Sequence, residues 1–146
     1  MKLLLFATDL LCLIGVAVGS DDEQLVRQIA KSFVTDYNNG DFKNAPSDTT
    51  DEKVHLNPVS GLTRGQEEVL KKVRAISKTT LKRVSVTIES MTVQFGTDGV
   101  ALVDAIHRGD SYITHENERQ MKTYLVVKQK GKWLLALDQN SIVSNP

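Results

Sequence analysis

Cysteine is almost missing from this chain. Of 146 residues, one is cysteine, Cys12, and it lies in the N-terminal apolar run. The domain behind that run therefore has no disulfide and no thiolate to hold a metal. The 3 histidines, His55, His107 and His115, are scattered without ligand spacing, so no metal site is expected. Excess charge is missing as well. Lys and Arg total 18 and Asp and Glu total 18, which leaves no electrostatic footprint for nucleic acid. There is no Gly-x-Ser-x-Gly elbow, phosphate loop or dinucleotide fingerprint, so no cofactor is expected. No Asn-x-Ser/Thr acceptor for N-glycosylation occurs.

Only one long apolar run is present, Leu3 to Val18, behind the charged start Met1-Lys2. Ala17-Val18-Gly19 places small residues at the exit. This is the order of a secretory signal peptide, with cleavage after Gly19, or else after Ser20. Asp9 interrupts the run. A charge at that depth costs about 2.5–3.5 kcal/mol in a membrane-spanning helix, which argues against a membrane anchor; stable membrane insertion of the mature chain is not expected. The organisation read from this is a leader over residues 1–19 and one domain over 20–146, secreted or periplasmic.

Ser20-Asp21-Asp22-Glu23 has the form of a capping box. Leu25, Val26, Ile29, Ala30, Phe33, Val34 and Tyr37 follow at helical spacing, and Gly40 suits a left-handed C-cap. Asp41 to Lys53 is polar and reads as a loop with at most one helical turn. Val54 to Val59 reads as a short strand, with Pro58 confining it to an edge or bulge. Thr63-Arg64-Gly65-Gln66 predicts a second capping box, before a helix with Val69, Leu70, Val73 and Ile76 on its apolar face. Glu67 and Glu68 stand four residues before Lys71 and Lys72, spaced for helical pairs. From Leu81 the period is two, with a phase slip at Ser90 that predicts a bulge in one bent strand ending at Phe95. Gly96-Thr97-Asp98-Gly99 is a hairpin turn. Three further strands are predicted at Val100 to Arg108, Arg119 to Gln129 and Trp133 to Val143. The fold class is α+β: helices on one face of a strongly curved antiparallel sheet, a cone that can hold a pocket.

Four pieces in this order look familiar: Tyr37-Asn38-Asn39-Gly40-Asp41, Gly61-Leu62-Thr63-Arg64-Gly65-Gln66-Glu67-Glu68-Val69, Gly96-Thr97-Asp98-Gly99-Val100-Ala101 and Lys130-Gly131-Lys132-Trp133-Leu134-Leu135. Together they resemble the SnoaL-like branch of the nuclear transport factor 2-like superfamily. The resemblance implies the cystatin-like cone. It does not imply one activity, because the superfamily holds isomerases, dehydratases, polyketide cyclases, carriers and assembly domains. It also implies what is missing here. The steroid-isomerase type places an aspartate base directly before Pro-Val on the first strand, where this chain has Asn57. Its oxyanion tyrosine falls at Phe33, which has no hydroxyl. That chemistry is not expected.

Other residues then become the candidates. Asp138 and Asn140 share one face of the last strand. By resemblance to cyclase-like relatives, whose sheet acid shuttles protons, Asp138 is the first catalytic candidate. His107 is the second, since imidazole exchanges protons near neutrality. Tyr37, His55, Asn57, Arg119 and Asn140 are candidate ligand-binding residues, with Arg119 a clamp for an acidic group at the cone mouth. Trp133 reads as core. The basic stretch Lys71, Lys72, Arg74, Lys78, Lys82 and Arg83 reads as a solvated face. The expected ligand is a small apolar molecule. The competing expectation is an assembly domain, a homodimer formed through the Lys122, Tyr124, Val126, Lys128 face of the sheet.

Overall fold

A computed structural model describes residues 20–79, 84–110 and 117–143. The leader, the expected strand start at Leu81, the basic residues Lys82 and Arg83, and His115 lie outside the described residues.

The first helix, α1, spans Ser20–Asn39. Its stripe of Val26, Ile29, Ala30, Phe33 and Val34 is buried, whereas Leu25 lies off the stripe and is exposed. The acidic first turn complements the helix dipole. Asp22 also anchors that end to the sheet, accepting hydrogen bonds from Trp133 Nε1 at 2.8 Å and Lys128 Nζ at 3.0 Å. Glu23, the expected partner in a capping box, instead pairs with Arg27 one turn on. Gly40 closes the helix with φ 69° and an N–H to Asp36 O of 2.9 Å.

The polar segment after Gly40 is more ordered than its composition predicts. Ala45–Asp48 forms a single helical turn, α2, and Thr49–Leu56 forms the first strand, β1. Buried Asp36 reaches over from α1 and accepts from the N–H groups of Asn44 and Ala45 and from Asn44 Nδ2. The strand therefore begins before Val54 and ends at Leu56, so Pro58 lies beyond it in a turn. Asn57 holds that turn, its Oδ1 accepting from the N–H of Gly61 at 2.7 Å and of Val59 at 3.1 Å.

Leu62–Arg64 is a short strand, β2, antiparallel to β1. This displaces the expected capping box. The second long helix, α3, spans Gln66–Ser77 with Gly65 at its N-cap. Gln66 hydrogen-bonds back to Thr49, and Thr63 accepts from Lys72. The helical charge pairs expected at i,i+4 are not formed. Lys71 meets Glu68 at i,i+3, and Arg74 donates to the carbonyls of Asp41 and Phe42.

Four strands then run as a meander: β3 Val86–Phe95, β4 Val100–Asp110, β5 Asn117–Gln129 and β6 Lys132–Ile142. The sheet order is β2-β1-β6-β5-β4-β3. All pairs are antiparallel except β1 with β6, which is parallel, so the curved sheet is mixed. The bulge expected at the phase slip is present: the β3–β4 register shifts between Ile88 and Ser90. At the far end of that pair Gly109 has no room for a side chain. A Cβ there would sit 2.1 Å from the Ser85 carbonyl oxygen.

The helices cover one face of the sheet, and the core lies between them. Val103, Ala105, Tyr124, Val126, Trp133 and Leu135 pack there against α1 and α3. This reverses the faces assigned to β5. Lys122, Tyr124 and Val126 point into the cone and are buried, whereas Met121 on the opposite face is 43 % exposed. The face proposed for assembly is therefore the inner one. Both faces of β5 carry apolar residues, and a buried lysine inverts the usual hydropathy signal.

Candidate functional site

The cone holds a cavity of about 390 Å³. Such a volume falls within the range of small-molecule sites, about 300–1,000 Å³. α1 contributes Phe33 and Tyr37, and α3 contributes Val73, Ala75 and Ile76. The turn after β1 adds Pro58 and Val59, so the wall is mainly apolar. Ile76, expected in the core, is 41 % exposed beside this opening. The polar lining comes from His55, Asn57, Thr63, Lys72, Lys122 and Asn140. No carboxylate lines the cavity among the described residues.

Behind the wall stands Asp138, with no exposed surface. Its register on β6 sets it opposite His55 of β1 and Tyr124 of β5. Lys53 Nζ donates to its Oδ1. Its Oδ2 receives His55 Nδ1 at 2.8 Å and lies 3.2 Å from Lys122 Nζ. Burial alone raises a carboxyl pKa, but Lys53, Lys122 and the His55 hydrogen bond outweigh it and hold Asp138 well below the usual carboxylate range. Asp138 is thus a fixed negative charge rather than a group that takes up a proton near neutrality. Burial pushes the Lys53 ammonium down from its ordinary value, against the pull of Asp138. Both ammonium groups also lie near the Phe33 ring, with Lys122 Nζ 4.5 Å and Lys53 Nζ 5.3 Å from its centroid.

An ionised Asp138 fixes the His55 tautomer. Nδ1 carries a proton and donates to the carboxylate. His55 lines the cavity and Asp138 does not.

Asn140 stands directly across from Lys122 on the neighbouring strand. Its Nδ2 donates to Gln120 Oε1 at 2.8 Å. Its Oδ1 is buried with no hydrogen-bond partner among the described residues. A buried amide oxygen left in that state is costly, about 1–3 kcal/mol. A donor on a bound molecule would relieve it once the Asn140 side chain turns this oxygen toward the cavity.

Of the residues singled out in the sequence, Tyr37, His55, Asn57 and Asn140 come together around this cavity. Asn57 has its amide oxygen committed to the turn. His107 does not line the main cavity but a small adjoining one of about 20 Å³, which shares Phe33, Tyr37, Lys122 and Asn140 with it. Tyr124 Oη is 3.2 Å from its Nε2. Burial, and then Lys122, lower the His107 pKa to about 4, so it is neutral near pH 7. Arg119 is not at the cone mouth. It is 47 % exposed and pairs with Glu89 at 2.9 Å, together with Arg108. Its β5 parity sends it to the outer face with Met121.

Lys53, Lys122 and Phe33 were not anticipated as members of the site. Lys53 sat in a segment read as loop, and Lys122 in a strand face read as outer. One signal was available: Lys53 and His55 alternate, as do Asp138 and Asn140, so each strand presents two polar groups to one face.

A search of the curated proteins finds no match. Several solved structures share the fold. A protein with a cystatin-like fold from Caulobacter vibrioides superposes with a TM-score of 0.79 at 17 % identity, over 85 % of this chain and 91 % of that one. A putative dehydratase of the nuclear transport factor 2-like family from Streptomyces avermitilis gives 0.72 at 18 %, over 86 % and 98 %. A ketosteroid isomerase-like protein from Erwinia carotovora atroseptica gives 0.68 at 17 %, over 87 % and 100 %. At such identities these likenesses speak for the fold alone. The SnoaL-like domain profile matches residues 26–145, nearly all of the described structure, and the chain therefore belongs to the SnoaL-like domain family.

Proposed function

We propose that this domain binds a small, mostly apolar molecule in its cone, and that its chemistry, if a substrate is turned over, is cofactor-free proton transfer through His55. The observation that carries this reading is the 390 Å³ cavity itself, apolar in most of its wall and polar where Lys122, His55 and Asn140 meet. His55 takes the acid–base role first assigned to Asp138 and His107. Asp138 is a positioning residue, and His107 belongs to the smaller cavity.

N-Phenyl-1-naphthylamine, a neutral probe that fluoresces in apolar surroundings, tests the reading. It is expected to bind saturably at one site per chain. Val73→Phe adds a ring to the cavity wall and is expected to weaken that binding at least about tenfold, a loss of about 1.4 kcal/mol. Absence of saturable binding, or binding indifferent to Val73→Phe in a folded variant, would rule the cavity out.

Two further parts of the proposal concern the whole molecule. The chain is exported and its leader removed, so intact mass of the exported protein should correspond to a start at Ser20, or at Asp21 if cleavage follows Ser20. An unprocessed mass in the exported fraction counts against this. The second part is a homodimer through the outer sheet face, where Leu102 and Met121 are exposed. Light scattering on the mature protein should give twice the chain mass, and a monomer at working concentration contradicts it.

A further inference from the structure

The polar end of the cavity carries an imbalance of charge. Asp138 supplies one negative charge, and two lysines bear on it. Lys53 takes Oδ1 and does not line the cavity. Lys122 approaches Oδ2, which already receives the shorter hydrogen bond from His55. Lys122 is the member of this lysine pair that lines the cavity. Lys72, at the same wall, bonds only to a neutral hydroxyl, that of Thr63, at 3.2 Å. With no carboxylate in the lining among the described residues, the fixed charge facing a bound molecule is positive. A low-dielectric wall strengthens that field.

Next to Lys122 stands the opposite demand. Asn140 faces it across the β5–β6 pair, where side chains are about 4.5–5.5 Å apart at Cβ. Its buried Oδ1 accepts no hydrogen bond among the described residues. An ammonium and an amide oxygen side by side match a ligand with an anionic oxygen next to a hydroxyl.

Resting on the binding function proposed above, we infer that the ligand is an apolar 2-hydroxy carboxylate: its carboxylate meets Lys122, its hydroxyl donates to Asn140 Oδ1, and its hydrocarbon body lies along Phe33, Val73 and Ile76. The two polar contacts divide the work. Lys122 selects for charge, and Asn140 selects for the donor.

Competition at one site tests this. Octanol, octanoate and 2-hydroxyoctanoate displace the bound naphthylamine probe in separate titrations. Octanoate is expected to displace it at about one tenth the concentration of octanol, as one charge-assisted contact provides. 2-Hydroxyoctanoate is expected to act at lower concentration still. In Lys122→Met the advantage of octanoate over octanol disappears, and in Asn140→Leu the advantage of the hydroxy acid over octanoate disappears. Should Lys122→Met fail to fold, the order of the three competitors on the unaltered chain decides. Octanol displacing as well as octanoate overturns the assignment of Lys122, with the binding function left standing. A hydroxy acid no better than octanoate overturns the assignment of Asn140. Failure of the probe to bind at all removes the binding function and this inference together.

Discussion

Asp138→Ala is expected to lower the stability of the domain by about 3–5 kcal/mol, the cost of leaving a buried charge unpaired. The reason is local. Lys53 and Lys122 are both nearly sealed from water, with side chains 3 % and 7 % exposed. Without the carboxylate they face each other and the Phe33 ring with no anion between them. Asp138→Asn keeps the shape and loses the charge, so it should be destabilising in the same sense. Urea unfolding at pH 7 measures both. Adding Lys53→Met to Asp138→Ala removes one stranded charge and should recover part of the loss, because an apolar replacement of a buried pair is often neutral. A loss below about 1 kcal/mol for Asp138→Ala, in the range of an exposed pair, would show that the cluster is solvated. The pH dependence has a definite sign. The folded pKa of Asp138 lies below its ordinary value of 3.8. Its contribution is therefore complete above the unfolded pKa and is lost as pH falls below about 4 through the folded value.

His107 predicts a second large effect, in a different pH window. Burial lowers its pKa from 6.5 to about 4. The unfolded chain therefore binds a proton between those values that the folded chain refuses. Stability falls as pH drops through that interval, by up to about 3 kcal/mol at roughly 1.4 kcal/mol per pH unit. Above pH 6.5 both states are neutral at this site and the effect vanishes. His107→Gln keeps a group able to accept from Tyr124 and cannot be charged, so its stability between pH 7 and pH 4.5 should change much less than that of the unaltered protein. Equal pH dependence in both would mean that His107 is hydrated or paired when charged. The difference also separates the two titrating groups, since Asp138 acts below pH 4 and His107 above it.

The fold was legible because its signals are local. The α1 stripe from Val26 to Val34, the Gly40 cap, the Gly96–Gly99 turn and the bulge beside Ser90 each follow from a period or a backbone preference. What local pattern could not show is the start of β1. Thr49 and Lys53 are polar, yet each is buried with a partner from elsewhere: Gln66 for Thr49 and Asp138 for Lys53. The same cause hid the site. Lys122 is buried on account of Asp138, next along the sheet, and that pairing fixed which face of β5 turns inward. Arg119 was placed at the cone mouth by the same parity error. Tyr37 was legible from the apolar stripe of α1, Asn140 from the face it shares with Asp138, His55 from its place on the first strand and Asn57 from the family resemblance. The capping box at Thr63 failed for a related reason: β2 pairs with β1 and takes Leu62–Arg64 into the sheet before the helix begins.

The central claim is that the cavity between α1, α3 and the sheet is where a small molecule binds. The most direct measurement is a titration with N-phenyl-1-naphthylamine followed by methyl and imidazole resonances in solution NMR. Saturating shifts are predicted at the Val73 and Ile76 methyls and at the His55 ring, while the outer-face methyls of Leu102 and Met121 stay in place. Shifts confined to Leu102 and Met121, with Val73, Ile76 and His55 unmoved, would place binding on the open sheet face and contradict the account.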